Sequence, residues 1–147
     1  TVGRDRCLPA CLITDQVILG IPNGELSNCA TNYSFVLALL TPHQPYKAII
    51  KQVAVSNEPD TQWSAADLPG VLLPAIANVR KALSALGMSA RVVVPFAAGV
   101  VSNSYPPSAG VFGSSWLPTI APLLQTLNAT GSAFMINLYP YFAWRVR

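Results

Sequence analysis

The sequence predicts an α/β fold of the (β/α)8 TIM-barrel type, and about half of one: four parallel strands with helices between them. Three observations carry this prediction. Four short runs rich in valine and isoleucine, at 16–21, 51–56, 91–94 and 134–138, are almost continuously apolar, as strands buried on both faces of a parallel sheet are. Helical patterns lie between these runs, so strand and helix alternate as they do in repeated βα units. The chain has 147 residues, whereas a complete barrel takes about 250. The same element order would also serve an open, doubly wound sheet.

The elements follow in order. The first strand, 16–21, leads to a short helical pattern at 33–40, and the second strand occupies 51–56. The clearest helix spans about 65–86, with Leu72, Leu73, Ile76, Val79, Leu83 and Leu86 on one stripe. Ser64 and Asp67 fit a capping box at its start, and Gly87 fits its stop. Pro69 suits the first turn, whereas Pro74 implies a kink or a later start. The third strand, 91–94, runs into the Pro/Gly/Ser-rich segment Asn103-Ser-Tyr-Pro-Pro-Ser-Ala-Gly-Val-Phe112, which signals only a loop. A further helix at 116–127 places Leu117, Ile120, Leu124 and Leu127 at spacings of three and four. Ser114 and Ser115 offer its cap, and Gly131 follows its end. The fourth strand, 134–138, is the last.

Composition narrows the setting. The chain is 52% hydrophobic and 10% charged, against about 25% charged in an average soluble protein. So little charge on a small domain predicts that exposed faces are covered by the remainder of a barrel or by another chain. No apolar run reaches the roughly 18 residues of a membrane span. The nine basic residues are scattered and net charge is +3, so nucleic-acid binding has no footprint. The start, Thr1-Val-Gly-Arg-Asp-Arg6, carries no signal-peptide core, so any such signal lies upstream or has been removed. Cys7, Cys11 and Cys29 leave at least one thiol without an internal partner. With His43 they match no common zinc spacing, so disulfides or buried thiols are expected, with no metal and no cofactor. The sequons at Asn32 and Asn128 point to N-glycosylation and an extracellular, secreted protein, with a cell-wall setting as one option.

The residues able to carry chemistry are few. Asn57-Glu58 closes the second strand at its C-terminal end, where a barrel performs its chemistry. Glycoside cleavage needs two carboxyl groups, one of them a proton donor with a raised pKa. Glu58, with an apolar wall behind it, suits that donor; an exposed loop carboxylate is the alternative. Asp60 reads as a loop residue and Asp67 as a cap, so neither is a convincing second group. At the end of the fourth strand, Asn137-Leu-Tyr-Pro-Tyr-Phe-Ala-Trp144 offers rings for the flat C–H faces of sugars and amide and hydroxyl groups for their hydroxyls. Some of these rings would fill core instead.

Together these segments resemble glycoside hydrolase family 17, the plant-type glucan endo-1,3-β-glucosidases. The resemblance runs through Ile18-Leu-Gly-Ile-Pro-Asn23, Val53-Ala-Val-Ser-Asn-Glu58, Leu73-Pro-Ala-Ile-Ala-Asn-Val-Arg-Lys-Ala-Leu83, the 103–112 segment, Leu117-Pro-Thr-Ile120 and Asn137-Leu-Tyr-Pro-Tyr-Phe142. It implies a (β/α)8 barrel of which 16–147 supplies strands three to six, preceded by a cysteine-containing segment 1–15 without a family counterpart. It implies retaining, endo-acting hydrolysis of β-1,3-glucan and no cofactor. Glu58 would be the acid/base, Asn57 would bind the sugar hydroxyl beside the cleaved bond, and Tyr139, Tyr141 and Phe142 would line the cleft. The family's nucleophile glutamate belongs to a seventh-strand motif beyond Arg147, so the chain alone is expected to be inactive until the missing strands complete it. Ser56 stands where glycine is usual, Pro59 where an aliphatic residue is, and 94–99 lacks the usual hydroxyl groups. A non-catalytic glycan-binding or structural module of a cell wall or extracellular assembly is the alternative.

Overall fold

A computed structural model describes residues 16–145, apart from the side chains of residues 142 and 143. Cys7, Cys11 and the rest of segment 1–15, together with residues 146 and 147, lie outside the described residues. The elements are β1 (Val17–Ile21), α1 (Leu26–Thr31), α2 (Tyr33–Leu40), β2 (Ile50–Val55), α3 (Leu68–Ala85), β3 (Arg91–Val93), β4 (Pro95–Ala97), β5 (Val101–Asn103), β6 (Val111–Phe112), α4 (Leu117–Ala129), β7 (Met135–Asn137) and α5 (Pro140–Arg145).

The four expected strands are present and parallel. Ile21 pairs with Val55, Ala54 with Val93, and Ala97 with Asn137. The third run is split at Val94: β3 pairs with β2, and β4 pairs with β7. Pro95 brings no N–H to continue a ladder, which suits a break there. Neighbouring strands therefore follow chain order, with no reversal of the kind on which a doubly wound sheet is built. Among the described residues the sheet does not close into a barrel.

Helix α3 covers the sheet with the expected stripe. Leu72, Ile76, Val79 and Leu83 are buried, joined by Ala75 and Ala82, while Leu73 and Leu86 lie half-buried at its margins. Each fully buried aliphatic side chain contributes about 1.5–3 kcal/mol relative to exposure. Asn78 donates from Nδ2 to the carbonyls of Cys29 (2.9 Å) and Ala30 (3.0 Å), pinning α1 against α3. Pro74 neither ends the helix nor delays its start, since α3 runs continuously through it. The capping box is altered rather than absent. Ser64 Oγ accepts from the Asp67 amide (3.2 Å) and donates to its carboxylate (2.7 Å), in a turn ahead of the helix.

Three expectations are corrected. In α4 the inward face is Thr119, Ile120, Leu123 and Leu127, whereas Leu117 and Leu124 are exposed. The buried set is shifted round the helix, and the buried Thr119 satisfies its hydroxyl on the Ala65 carbonyl at 2.8 Å. Ser114 and Ser115 form part of a 3-10 turn and give the helix no side-chain cap. The 103–112 segment is more than a loop. Residues at its ends pair as the antiparallel β5–β6 hairpin, and Phe112 meets Phe134 edge-on at 5.4 Å while Phe134 stacks on Phe96 at 5.7 Å. The two helix stops behave as expected: Gly87 and Gly131 take φ of +62° and +60°, a region open to glycine without a Cβ penalty.

Candidate active site

The parallel register brings four chain segments to one end of the sheet. They are Pro22-Asn23 after β1, Ser56-Asn57-Glu58 after β2, Ala97 at the end of β4, and Asn137-Leu138-Tyr139 at the end of β7. The Ser56 amide continues the β1 ladder by donating to the Ile21 carbonyl at 3.0 Å. The chain then turns sharply. Ser56 and Glu58 adopt φ of +70° and +49°, left-handed values that cost a residue bearing a Cβ. Glu58 is fastened across to the next strand, its amide donating to the Pro95 carbonyl at 2.7 Å.

Asn23 holds this turn from the side. Its Oδ1 accepts from the Ser56 hydroxyl (2.6 Å) and from the Asn57 amide (2.7 Å), and its Nδ2 donates to the Asn57 carbonyl (2.9 Å). Asn137 reaches the other side. Its Nδ2 donates to Glu58 Oε1 at 2.8 Å and to Asn57 Oδ1 at 3.1 Å. The Tyr139 hydroxyl donates to the same Glu58 oxygen at 2.5 Å.

The expected apolar wall behind Glu58 is thus a polar one. Hydrogen bonds from Tyr139 first and Asn137 second hold its carboxyl below the ordinary range, outweighing partial desolvation. The same bond pushes the Tyr139 phenol up. Asp60 lies in a 3-10 turn (Pro59–Thr61), half-buried, with Oδ1 accepting from the Ala97 amide at 3.1 Å. Burial raises its pKa against that hydrogen bond, and the Glu58 charge adds to the rise. It anchors the turn to β4. Asp67 is engaged by Ser64, as its capping assignment anticipated.

Tyr141 and Trp144 sit on α5 with ring centroids 6.4 Å apart, and Leu138, Tyr139, Tyr141 and Trp144 are all more than half exposed. The side chain of Phe142 lies outside the described residues. A separate cavity of about 380 Å³, lined by Arg80, Ser84, Met88, Arg91, Thr130 and Ser132 among others, opens at the opposite, N-terminal end of β3. Among the described residues no three of His, Cys, Asp and Glu gather into a metal site, and no helix is long and apolar enough to cross a membrane. Cys29 is fully buried and its thiol is pushed up to about 11, by burial first and by Glu25 second.

Comparison with known proteins decides the lineage. Residues 13–147 match the profile of glycosyl hydrolases family 17. The chain belongs to that family. It is 34% identical over 131 residues to a putative glucan endo-1,3-beta-glucosidase GVI of Hordeum vulgare, covering 87% of this chain and 40% of the relative. It is 38% identical over 136 residues to a glucan endo-1,3-beta-D-glucosidase of Olea europaea, covering 88% and 29%. Among solved structures it superposes on CJP38, a beta-1,3-glucanase and allergen of Cryptomeria japonica pollen, with TM-score 0.77 and 32% identity over 88% of this chain and 42% of that one. A structure of one of two plant beta-glucan endohydrolases with distinct substrate specificities gives TM-score 0.75 and 29% identity, covering 90% and 42%. The family 17 chain therefore spans less than half the length of these relatives.

Within this family 17 chain, sequence reading singled out Asn57, Glu58 and Tyr139, and the fold gathers all three. It missed Asn23 as a member of the site, and it read Asn137 as an amide for sugar hydroxyls rather than as a donor to Glu58. Both are asparagines placed at or just after the C-terminal end of a strand, a positional signal that would have found them.

Proposed function

We propose that this chain carries the acid/base half of a retaining β-1,3-glucan endohydrolase site, on four consecutive strands of a (β/α)8 barrel that correspond to the third to sixth. The carrying observation is the set Asn57, Glu58, Asn137 and Tyr139, joined by hydrogen bonds at the C-terminal ends of β2 and β7. In the first step Glu58 gives a proton to the leaving glycosidic oxygen while a second carboxylate forms a bond to the anomeric carbon. In the second step Glu58 takes a proton from the water that displaces that carboxylate. The second carboxylate must lie about 5 Å away, and sequence beyond Arg147 or another chain would supply it. Its negative charge would also push the Glu58 carboxyl upward, toward the range a proton donor needs.

The Asn57 amide would hold the hydroxyl next to the cleaved bond. Tyr139, Tyr141 and, by the family resemblance, Phe142 would line the cleft. The exposed rings of Tyr141 and Trp144 support a stacking surface for sugar. The cysteine-containing segment 1–15 would stand apart from the 16–147 barrel portion. Exposed sequons at Asn32 and Asn128 support a secreted glycoprotein, which loss of mass on N-glycosidase treatment of material from a secretory host would check.

One observation favours the second reading, a glycan-binding or structural module of an extracellular assembly: Glu58 Oε1 accepts from both Tyr139 and Asn137, so its carboxylate is engaged as an acceptor. Two measurements test the hydrolase reading. The 147-residue chain is expected to release no reducing ends from β-1,3-glucan; release abolished by Glu58→Gln would show that it is active alone. In a polypeptide that includes the second carboxylate, Glu58→Gln is expected to lower kcat by about 10²–10⁴. Full activity in that variant would eliminate the acid/base role.

A further inference from the structure

We propose that Asn23 is the positioning residue for Glu58, and that the Ser56 hydroxyl is the hinge pin through which it acts. The inference rests on the reading of Glu58 as the working carboxylate but adds what places it.

The turn that aims Glu58 contains two left-handed residues with side chains, Ser56 and Glu58, on either side of Asn57. Nothing in a three-residue turn of this kind holds itself, since each left-handed residue bearing a Cβ prefers another basin. Such a conformation persists only where its surroundings over-determine it. The surroundings here are specific. Ser56 is 1% exposed, so its hydroxyl has to find a partner inside the protein. That partner is Asn23 Oδ1 at 2.6 Å, which also takes the Asn57 amide at 2.7 Å. The Asn23 Nδ2 closes the ring on the Asn57 carbonyl at 2.9 Å. One side chain thus grips residues 56 and 57 at three points, just before the residue whose carboxylate meets Asn137 and Tyr139.

Asn23 itself is well placed to be rigid. It follows Pro22, and its own strand is locked to the turn by the Ser56 amide on the Ile21 carbonyl. The grip therefore links β1 to the end of β2 without touching the Glu58 carboxylate. Removing it would let the 56–58 turn relax, and the carboxylate would drift from its two donors while the sheet stayed paired.

The test reads the Glu58 carboxyl directly. The sequence has only two glutamates, Glu25 and Glu58, so selective carbon-13 labelling gives two carboxyl titrations, assigned by Glu58→Gln. The other groups near Glu58, Asp60 and Tyr139, are unchanged in every variant. In Asn23→Ala the Glu58 titration is expected to move up toward the ordinary glutamate range. Ser56→Ala, which keeps the Cβ at positive φ and loses the hydroxyl, is expected to do the same. Ser56→Gly, which adopts that φ freely, is expected to titrate as the unaltered chain does. If Asn23→Ala fails to fold, the two Ser56 variants decide. Titration of Glu58 unchanged in a folded Asn23→Ala, or identical in Ser56→Ala and Ser56→Gly, overturns the proposal. None of these readouts involves glucan, so they stand apart from any failure of the hydrolase reading, which the turnover measurements address.

Discussion

Tyr139 and Glu58 lie 81 positions apart in sequence, and the phenol of one donates to the carboxylate of the other at 2.5 Å. That single bond joins the turn after β2 to the residue just ahead of α5. It is also the leading cause of the low Glu58 pKa.

Replacing Tyr139 by phenylalanine is therefore expected to raise the Glu58 carboxyl toward its ordinary value. The sign for stability follows from linkage. A carboxylate held low stabilises the fold above its unfolded value, about 4.3, and that contribution disappears as pH falls through the lower folded value. Tyr139→Phe should thus weaken the dependence of the denaturant midpoint on pH in this acid window. An unaltered Glu58 titration in the variant would mean the bond is absent in solution.

Asp60 behaves in the opposite sense. Burial raises its pKa, so its favourable contribution is complete below the unfolded value, about 3.9, and is lost as pH rises through the raised folded value. Asp60→Asn keeps an acceptor for the Ala97 amide and has no charge to bury. It is expected to match or exceed the unaltered chain at pH 7, by at most about 0.5 kcal/mol because the group is partly solvated. Asp60→Ala leaves the Ala97 amide without its partner and should cost about 1 kcal/mol. Urea melts at pH 3 and pH 7 separate the three proteins, and a less stable Asp60→Asn at pH 7 would count against this assignment.

Cys29 is sealed beneath α3 with its thiol pushed up to about 11. Alkylation needs the thiolate, so Cys29 should stay unmodified by iodoacetamide at pH 8 in the native protein and react fully once denaturant is added. Peptide mass mapping distinguishes it from Cys7 and Cys11. Rapid native labelling of Cys29 would show that α1 does not pack as described.

Leu72 is fully buried on the inner stripe of α3. Leu72→Ala should destabilise by about 2–5 kcal/mol, seen in urea unfolding. The substitution Leu124→Ala, on the exposed side of α4, should cost no more than about 0.5 kcal/mol. Equal losses at the two positions would refute the burial pattern.

Much of this architecture was legible in the chain. The apolar runs foretold the strands to within three residues at either end, and the Leu72-to-Leu83 stripe foretold α3, because periodicity and burial are local signals. Where two faces competed the reading slipped. In α4, leucines at 117 and 124 fit a helical period as well as Thr119 and Leu123 do, and the Ala65 carbonyl that lets Thr119 be buried is 54 positions away in the chain. The β5–β6 hairpin escaped notice because its proline-rich middle masks two very short strands, held by Phe112 against Phe134.

The site divides along the same line. The sequence by itself determined that an acid and an amide end a buried strand, that aromatic residues end another, and that the chain carries the ordered blocks of a family 17 hydrolase. Only the tertiary structure decided that Asn137 and Tyr139 converge on Glu58 while Asn23 holds the turn before it, and that donors rather than an apolar wall face its carboxylate. The physical reason is distance along the chain. A strand or helix declares itself within a dozen residues, but a hydrogen bond between residues 58 and 139 exists only once parallel strands have been laid side by side in register.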